Sequence, residues 1–131
     1  MIVLDASVVV PLVTNGPGAD VISARLRKSR NALCAPHLMS VEVAHVLRRL
    51  ERIGDLDRTR AHTALEALMH LPVTRYGHEP LLRRIWQLRG HVSAYDATYL
   101  ALAEGVRGRL LTRDAGLGAV AGKVRAEIEV I

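Results

Sequence analysis

Four acids occupy positions where a carboxylate is awkward unless it has a chemical role: Asp5, Glu42, Asp96 and Asp114. Asp5 follows directly on the apolar run Ile2-Val3-Leu4, and Asp114 follows Leu110-Leu111-Thr112-Arg113. Glu42 falls three residues after Met39 and four before Val46, on the face of a helical stretch that should be buried. Asp96 lines up with Leu100 and Ala103, so it points along an inner face as well. An unpaired carboxylate on a buried face is costly. Several brought together repel one another and raise their own pKa values unless a cation sits among them. Oxygen-only donors, with no cysteine pair and no ordered histidine spacing, suit Mg2+ or Mn2+. A divalent metal held by carboxylates beside a basic surface is equipment for phosphodiester hydrolysis, because the metal activates water, orients the phosphate and offsets developing charge.

Each acid has a plainer reading. Asp5 and Asp114 can cap the helix or turn that follows them. Ser93-Ala94-Tyr95-Asp96 has the form of a capping box with Ser93 as the N-cap. Glu42 can be half of a buried ion pair with an arginine. Taken singly, the caps at Asp5 and Asp114 are good explanations. Taken together, two acids at the carboxyl ends of strands and two near helix starts bordering the same edge point to a shared site.

The elements that position them follow from hydrophobic periodicity. Ile2 to Leu4 has no alternation and reads as a central parallel strand buried on both faces. In an open parallel sheet, ligands sit outside the carboxyl ends of the strands, where Asp5 stands. A short helix is expected over Val8–Val13, ending at the turn Asn15-Gly16-Pro17-Gly18, and an amphipathic helix over Ala19–Arg30. Further strands are expected at Ala32–Ala35, Pro72–Tyr76, Arg109–Thr112 and Glu127–Ile131. Helices are expected over His37–Ile53 (stopped by Gly54), Asp57–His70, Glu79–Arg89 and Ala94–Glu104, with a turn or short helix at Asp114–Ala121. Strands alternating with helices predict a three-layer α/β/α domain around a parallel sheet of about five strands.

Composition narrows the class. The 131 residues suit one domain, 1–131, and a hydrophobic fraction of 50% argues against disorder. No apolar run approaches the roughly 20 residues of a membrane span, and Asp5 interrupts the N-terminus before a signal peptide could form. A cytoplasmic protein is expected. The lone Cys34 sits in an apolar run and reads as a small core residue. The formal charge of +5 is carried almost entirely by arginine, which favours an anionic partner such as nucleic acid. Aromatics make up 3% of the chain, too few for a base-stacking platform.

The segments Val3-Leu4-Asp5-Ala6-Ser7, Ser40-Val41-Glu42-Val43, Ser93-Ala94-Tyr95-Asp96-Ala97 and Leu111-Thr112-Arg113-Asp114 together resemble the PIN-domain family, and more narrowly its VapC-type toxins of bacterial toxin–antitoxin pairs. The resemblance runs in order along essentially the whole chain. It implies a metal-dependent endoribonuclease in which Asp5, Glu42, Asp96 and Asp114 hold one or two Mg2+ or Mn2+ ions, with Thr112 and Ser7 supporting the acids or metal-bound water. It also implies a structured RNA substrate such as transfer or ribosomal RNA, a homodimer, and neutralisation by a VapB-type antitoxin. Some relatives carry one more acid a few residues after the last; here that place is Leu117, so four acids make up the set. Arg48, Arg49 and Arg52 on one helix, and Arg25, Arg27, Lys28 and Arg30 on another, are solvated faces that can add to a phosphate-attracting field.

Two other readings stay open on the residues alone. One is an inert PIN-like module that binds RNA or a protein. The other is a different phosphoryl-transfer enzyme, either a DNA nuclease or a phosphatase. A phosphatase with Asp5 as nucleophile would want an acid two residues on, where Ser7 stands.

Overall fold

A computed structural model describes residues 1–131. Five strands form one sheet: β1 (Ile2–Leu4), β2 (Leu33–Pro36), β3 (Thr74–Tyr76), β4 (Arg109–Thr112) and β5 (Glu127–Val130). All pairings are parallel, in the order β3-β2-β1-β4-β5. Seven helices connect them: α1 (Ala6–Thr14), α2 (Ala19–Arg27), α3 (Leu38–Arg52), α4 (Arg58–Met69), α5 (Leu82–Gln87), α6 (Ala94–Gly105) and α7 (Ala115–Gly118). The expected α/β/α architecture is the observed one. No helix is long and apolar enough to cross a membrane.

Handedness sorts the layers. Crossovers between parallel strands are right-handed. The connections β1→β2→β3 step one way across the sheet and place α1 to α4 on one face. The connections β3→β4→β5 step the other way and place α5 to α7 on the opposite face. Accordingly α1, α3 and α4 pack on one another, while α6 packs on α5, β1, β2 and β4. β1 lies at the middle of this sandwich, and Ile2, Val3 and Leu4 are all buried, as an unalternating apolar run requires. Cys34 is buried in the core.

Local differences from the sequence reading have local causes. α1 starts at Ala6, two residues early, because Asp5 takes the N-cap position. It continues through Pro11, whose missing amide is tolerated while Val8, Val9 and Pro11 are buried against the core. The helix expected over Glu79–Arg89 begins instead as a 3-10 turn at Glu79–Leu81, with Pro80 near its start, before α5 proper. Gly54 ends α3 with φ +83, a left-handed conformation that glycine adopts without steric cost.

The strand order reverses between β1 and β4, since the chain leaves β1 in one direction and returns to its other side. Such a reversal opens a crevice outside the carboxyl ends of the strands. The β1–β4 register pairs Leu4 with Leu111, and both are fully buried. Truncation there leaves a cavity under the crevice. Leu111→Ala is expected to lower stability by about 3 kcal/mol. In urea unfolding this should appear as a lower midpoint with an unchanged slope.

Candidate active site

The register decides what meets at the crevice. Asp5, one residue beyond β1, donates its backbone N–H to the Leu111 carbonyl at 3.1 Å, which sets it beside Thr112 at the end of β4. The Thr112 hydroxyl donates to Asp5 Oδ2 at 2.7 Å, and the Ser7 hydroxyl donates to the same oxygen at 2.5 Å. Both hydroxyls are themselves held: Ser7 Oγ accepts from the Arg113 amide at 2.9 Å and Thr112 Oγ1 from the Asp114 amide at 3.0 Å. Oδ1 of Asp5 accepts no hydrogen bond from the protein and still reaches solvent, because no buried side-chain polar atom lacks a partner. Asp5 occupies the N-cap position of α1, yet its side chain caps nothing. The capping explanation therefore fails for Asp5.

Glu42 and Asp96 reach the same edge from opposite layers. Glu42 sits on α3 among buried Met39, Val43 and Leu47, and one of its oxygens accepts the Tyr99 hydroxyl proton. Tyr99 stands on α6 one turn after Asp96, so α6 presents an acid and a phenol from one face. Tyr99 is almost completely buried. Sequence reasoning missed it, although the three-residue spacing from Asp96 within a run of small apolar residues was a usable signal. Ser93 caps α6, accepting from the Asp96 amide at 3.2 Å, but the Ser93 amide makes no return bond to the Asp96 carboxylate, so only half of the expected capping box forms. Asp114 does cap α7, accepting from the Gly116 amide at 2.7 Å. Here the plain reading and the site reading are both satisfied. Leu117 is buried in the core and offers no ligand.

The acids share one electrostatic field. Burial pushes the Glu42 carboxyl above its ordinary value; the Tyr99 hydrogen bond pulls it partly back, and the charges of Asp5 and Asp96 push it further up. Burial likewise raises Asp96, opposed by Ser93 and reinforced by Asp114 and Asp5. Burial, and then Glu42 beside it, push the Tyr99 phenol far up, so it stays a hydrogen-bond donor at any working pH. None of the five ion pairs in the protein involves Asp5, Glu42, Asp96 or Asp114. The arginine partner that could have explained Glu42 is absent.

A divalent cation fits this donor set by chemistry. The donors are oxygens only, they are mutually repulsive, and no protein cation compensates them. The coordination shell is not closed in this arrangement: no three histidine, cysteine or acidic side chains stand close enough together to hold an ion. Like charges without a cation have reason to stand apart. Asp5, through its free Oδ1, is the best-placed single ligand.

A parallel sheet with a strand-order reversal, and four uncompensated acids over it, define a PIN-type domain, and the PIN domain matches residues 2–123. The chain belongs to the PIN-domain family, among its VapC-type members. It is 40% identical over 130 residues to Ribonuclease VapC1 of Mycobacterium tuberculosis, covering 98% of this chain and 96% of that protein. Its fold is similar to that of Mycobacterium tuberculosis VapC20, described as a sarcin–ricin loop cleaving toxin. There the TM-score is 0.72 at 16% identity, over 92% of this chain and 95% of the other. VapBC2 from Rickettsia felis, solved bound to a promoter DNA fragment, matches with a TM-score of 0.71 at 13% identity, over 100% and 99% of the two chains.

The raised acids carry a sign. A carboxyl whose folded pKa exceeds its unfolded value binds protons more tightly when folded, so stability falls as pH rises from the ordinary carboxylate value through the raised one. Without metal, acidifying through that window should therefore stabilise the protein. Asp96→Asn should raise the neutral-pH melting midpoint and flatten this slope, as thermal unfolding in chelator across pH would report. Tyr99→Phe removes the donor to Glu42 and should move the Glu42 carboxyl further up, seen by NMR titration of its carboxyl carbon.

Proposed function

We propose that this chain is an endoribonuclease dependent on Mg2+ or Mn2+, hydrolysing RNA phosphodiester bonds at the crevice between β1 and β4. The observation that carries this reading is that carboxylates from four distant segments border one edge, with Asp5 and Asp96 acting on Glu42, Asp114 and Asp5 acting on Asp96, and no arginine paired with any of them. A bound Mg2+ or Mn2+ supplies Lewis-acid activation of water and neutralisation of charge at the phosphate. Asp5, Glu42, Asp96 and Asp114 would hold it. Ser7 and Thr112 aim Asp5, because both hydroxyls donate to its Oδ2 and leave Oδ1 free. Tyr99 orients Glu42 in the same way.

The relatives' names support the substrate class. VapC1 is a ribonuclease and VapC20 is a toxin that cuts the sarcin–ricin loop, so structured RNA, either ribosomal or transfer, is the substrate we assign here. By the same reasoning we assign a VapB-type antitoxin partner, in line with the Rickettsia felis VapBC2 complex, together with a homodimeric state and a cytoplasmic location.

One observation favours a second reading, an inert PIN-like binding module: the acids do not form a closed shell. Activity separates the two. With Mg2+ or Mn2+ and a panel of cellular RNAs, the wild-type protein is expected to cut a subset, and Asp5→Asn should lower the rate by about a hundredfold or more. Removing a ligand should exceed the roughly 10–100-fold typical of losing a ligand's supporting partner. Near-native circular dichroism of the variant would show that the fold survived. Full activity in Asp5→Asn refutes the site, and no cutting by wild type leaves the inert module.

A further inference from the structure

The opposite, amino-terminal edge of the sheet carries a second concave surface. It is a cleft of about 880 Å3, formed by the starts of β1 and β4, by α5, and by the end of α6. Five of its eighteen lining residues are hydrophobic, so it is not built for an apolar ligand. Six arginines line it, Arg25, Arg83, Arg84, Arg107, Arg109 and Arg125, against Glu104 and Glu127. β1 is three residues long, so about 10 Å of sheet separates this edge from the carboxylates.

Ion pairs cross-link the walls. Arg84 grips Glu104 through two nitrogens at 2.6 and 2.9 Å, and Arg25 grips Glu129 at 2.5 and 2.7 Å. Arg109 bridges Glu127 and Glu129 at 2.5 and 2.9 Å. These pairs use up the local carboxylates. Arg83 and Arg107 have no hydrogen-bond or ion-pair partner on their side chains, and Arg125 has only a 3.7 Å contact with Glu104. The helix dipole at the end of α6 accounts for one cation, not for this concentration.

Arg107 adds a second, independent observation. α6 ends in a Schellman turn: the Gly108 amide bonds to the Ala103 carbonyl at 2.8 Å, and the Arg107 amide to that of Glu104 at 3.2 Å. The left-handed residue of this turn, normally glycine, is Arg107 with φ +50. A non-glycine residue there is strained, and such strain is concentrated at functional sites. The glycine one position later has its own reason: a Cβ on Gly108 would lie 2.7 Å from the Met1 carbonyl. Strain is accepted at Arg107 while its guanidinium stands unpaired on the cleft wall.

We propose that this cleft binds an anion carrying linked phosphate groups, independently of the catalytic edge. Guanidinium forks match phosphate oxygens, and exposed, unpaired forks around one cleft suit several phosphates close together. A free polyphosphate and a nucleic-acid backbone share this chemistry.

The test is equilibrium binding to the full chain in metal-free buffer, with inorganic tripolyphosphate in one arm and a short single-stranded RNA in the other. Tripolyphosphate should bind saturably, weaken with rising salt, and lose affinity by about tenfold or more in Arg107→Gly, as expected for removal of one charge-assisted hydrogen bond. The melting midpoint of Arg107→Gly should be unchanged or higher, because the substitution relieves the left-handed strain. Arg83→Gln should weaken binding similarly. Arg52→Gln, outside the cleft, and Asp5→Asn should not. RNA that shows the Arg107 dependence and is displaced by tripolyphosphate makes the source a nucleic-acid backbone; RNA that does not makes it a free polyphosphate. The proposal is overturned if tripolyphosphate does not bind, if Arg52→Gln weakens it as much as Arg107→Gly, or if poly-glutamate displaces it equally well.

Discussion

The parallel pairing of β1 with β4 is the constraint on which the site depends. Its register places Leu4 opposite Leu111, so Asp5, just beyond β1, stands beside Thr112, the last residue of β4. A one-residue slip would turn the Thr112 hydroxyl to the other face, because side chains alternate along a strand. Two hydroxyls from either side of the pairing then converge on one oxygen of Asp5 and leave the other open to solvent. The strand-order reversal that opens the crevice is the same feature that makes β1 and β4 neighbours. Fold and site therefore share one cause.

Charge is distributed around that frame in two opposed poles. At the carboxyl edge, acids accumulate without arginine partners, and burial plus mutual repulsion raise two of them. At the amino edge, arginines accumulate beyond the glutamates available to pair with them. The three glutamates there hold their arginines in fixed positions, and the acids of the crevice hold none.

Much of this was legible along the chain. The unalternating Ile2-Val3-Leu4 run marked a strand buried on both faces, and β4 was read with its observed ends. The four acids were conspicuous because each stood beside apolar residues where a charge needs a reason. Tyr99 was overlooked because a tyrosine in a buried helix is ordinary packing until its hydroxyl has an address. The far-edge cleft was overlooked for a similar reason: its arginines come from α2, α5, the α6–β4 turn, β4 and the segment before β5, and no short stretch of sequence shows them together.

By itself the sequence determined the alternation of strands and helices, the burial of β1 and the identity of the acids, because hydrophobic period and residue type are local properties. Tertiary structure alone decided the rest. It settled that the Asp5 side chain does not cap α1 and that both expected hydroxyls, Ser7 and Thr112, share one of its oxygens, that Glu42 meets a phenol rather than an arginine, and that Arg107 takes a glycine's conformation. Those outcomes hang on register and strand order, which bring together residues as much as 107 positions apart and so leave no trace in any local pattern.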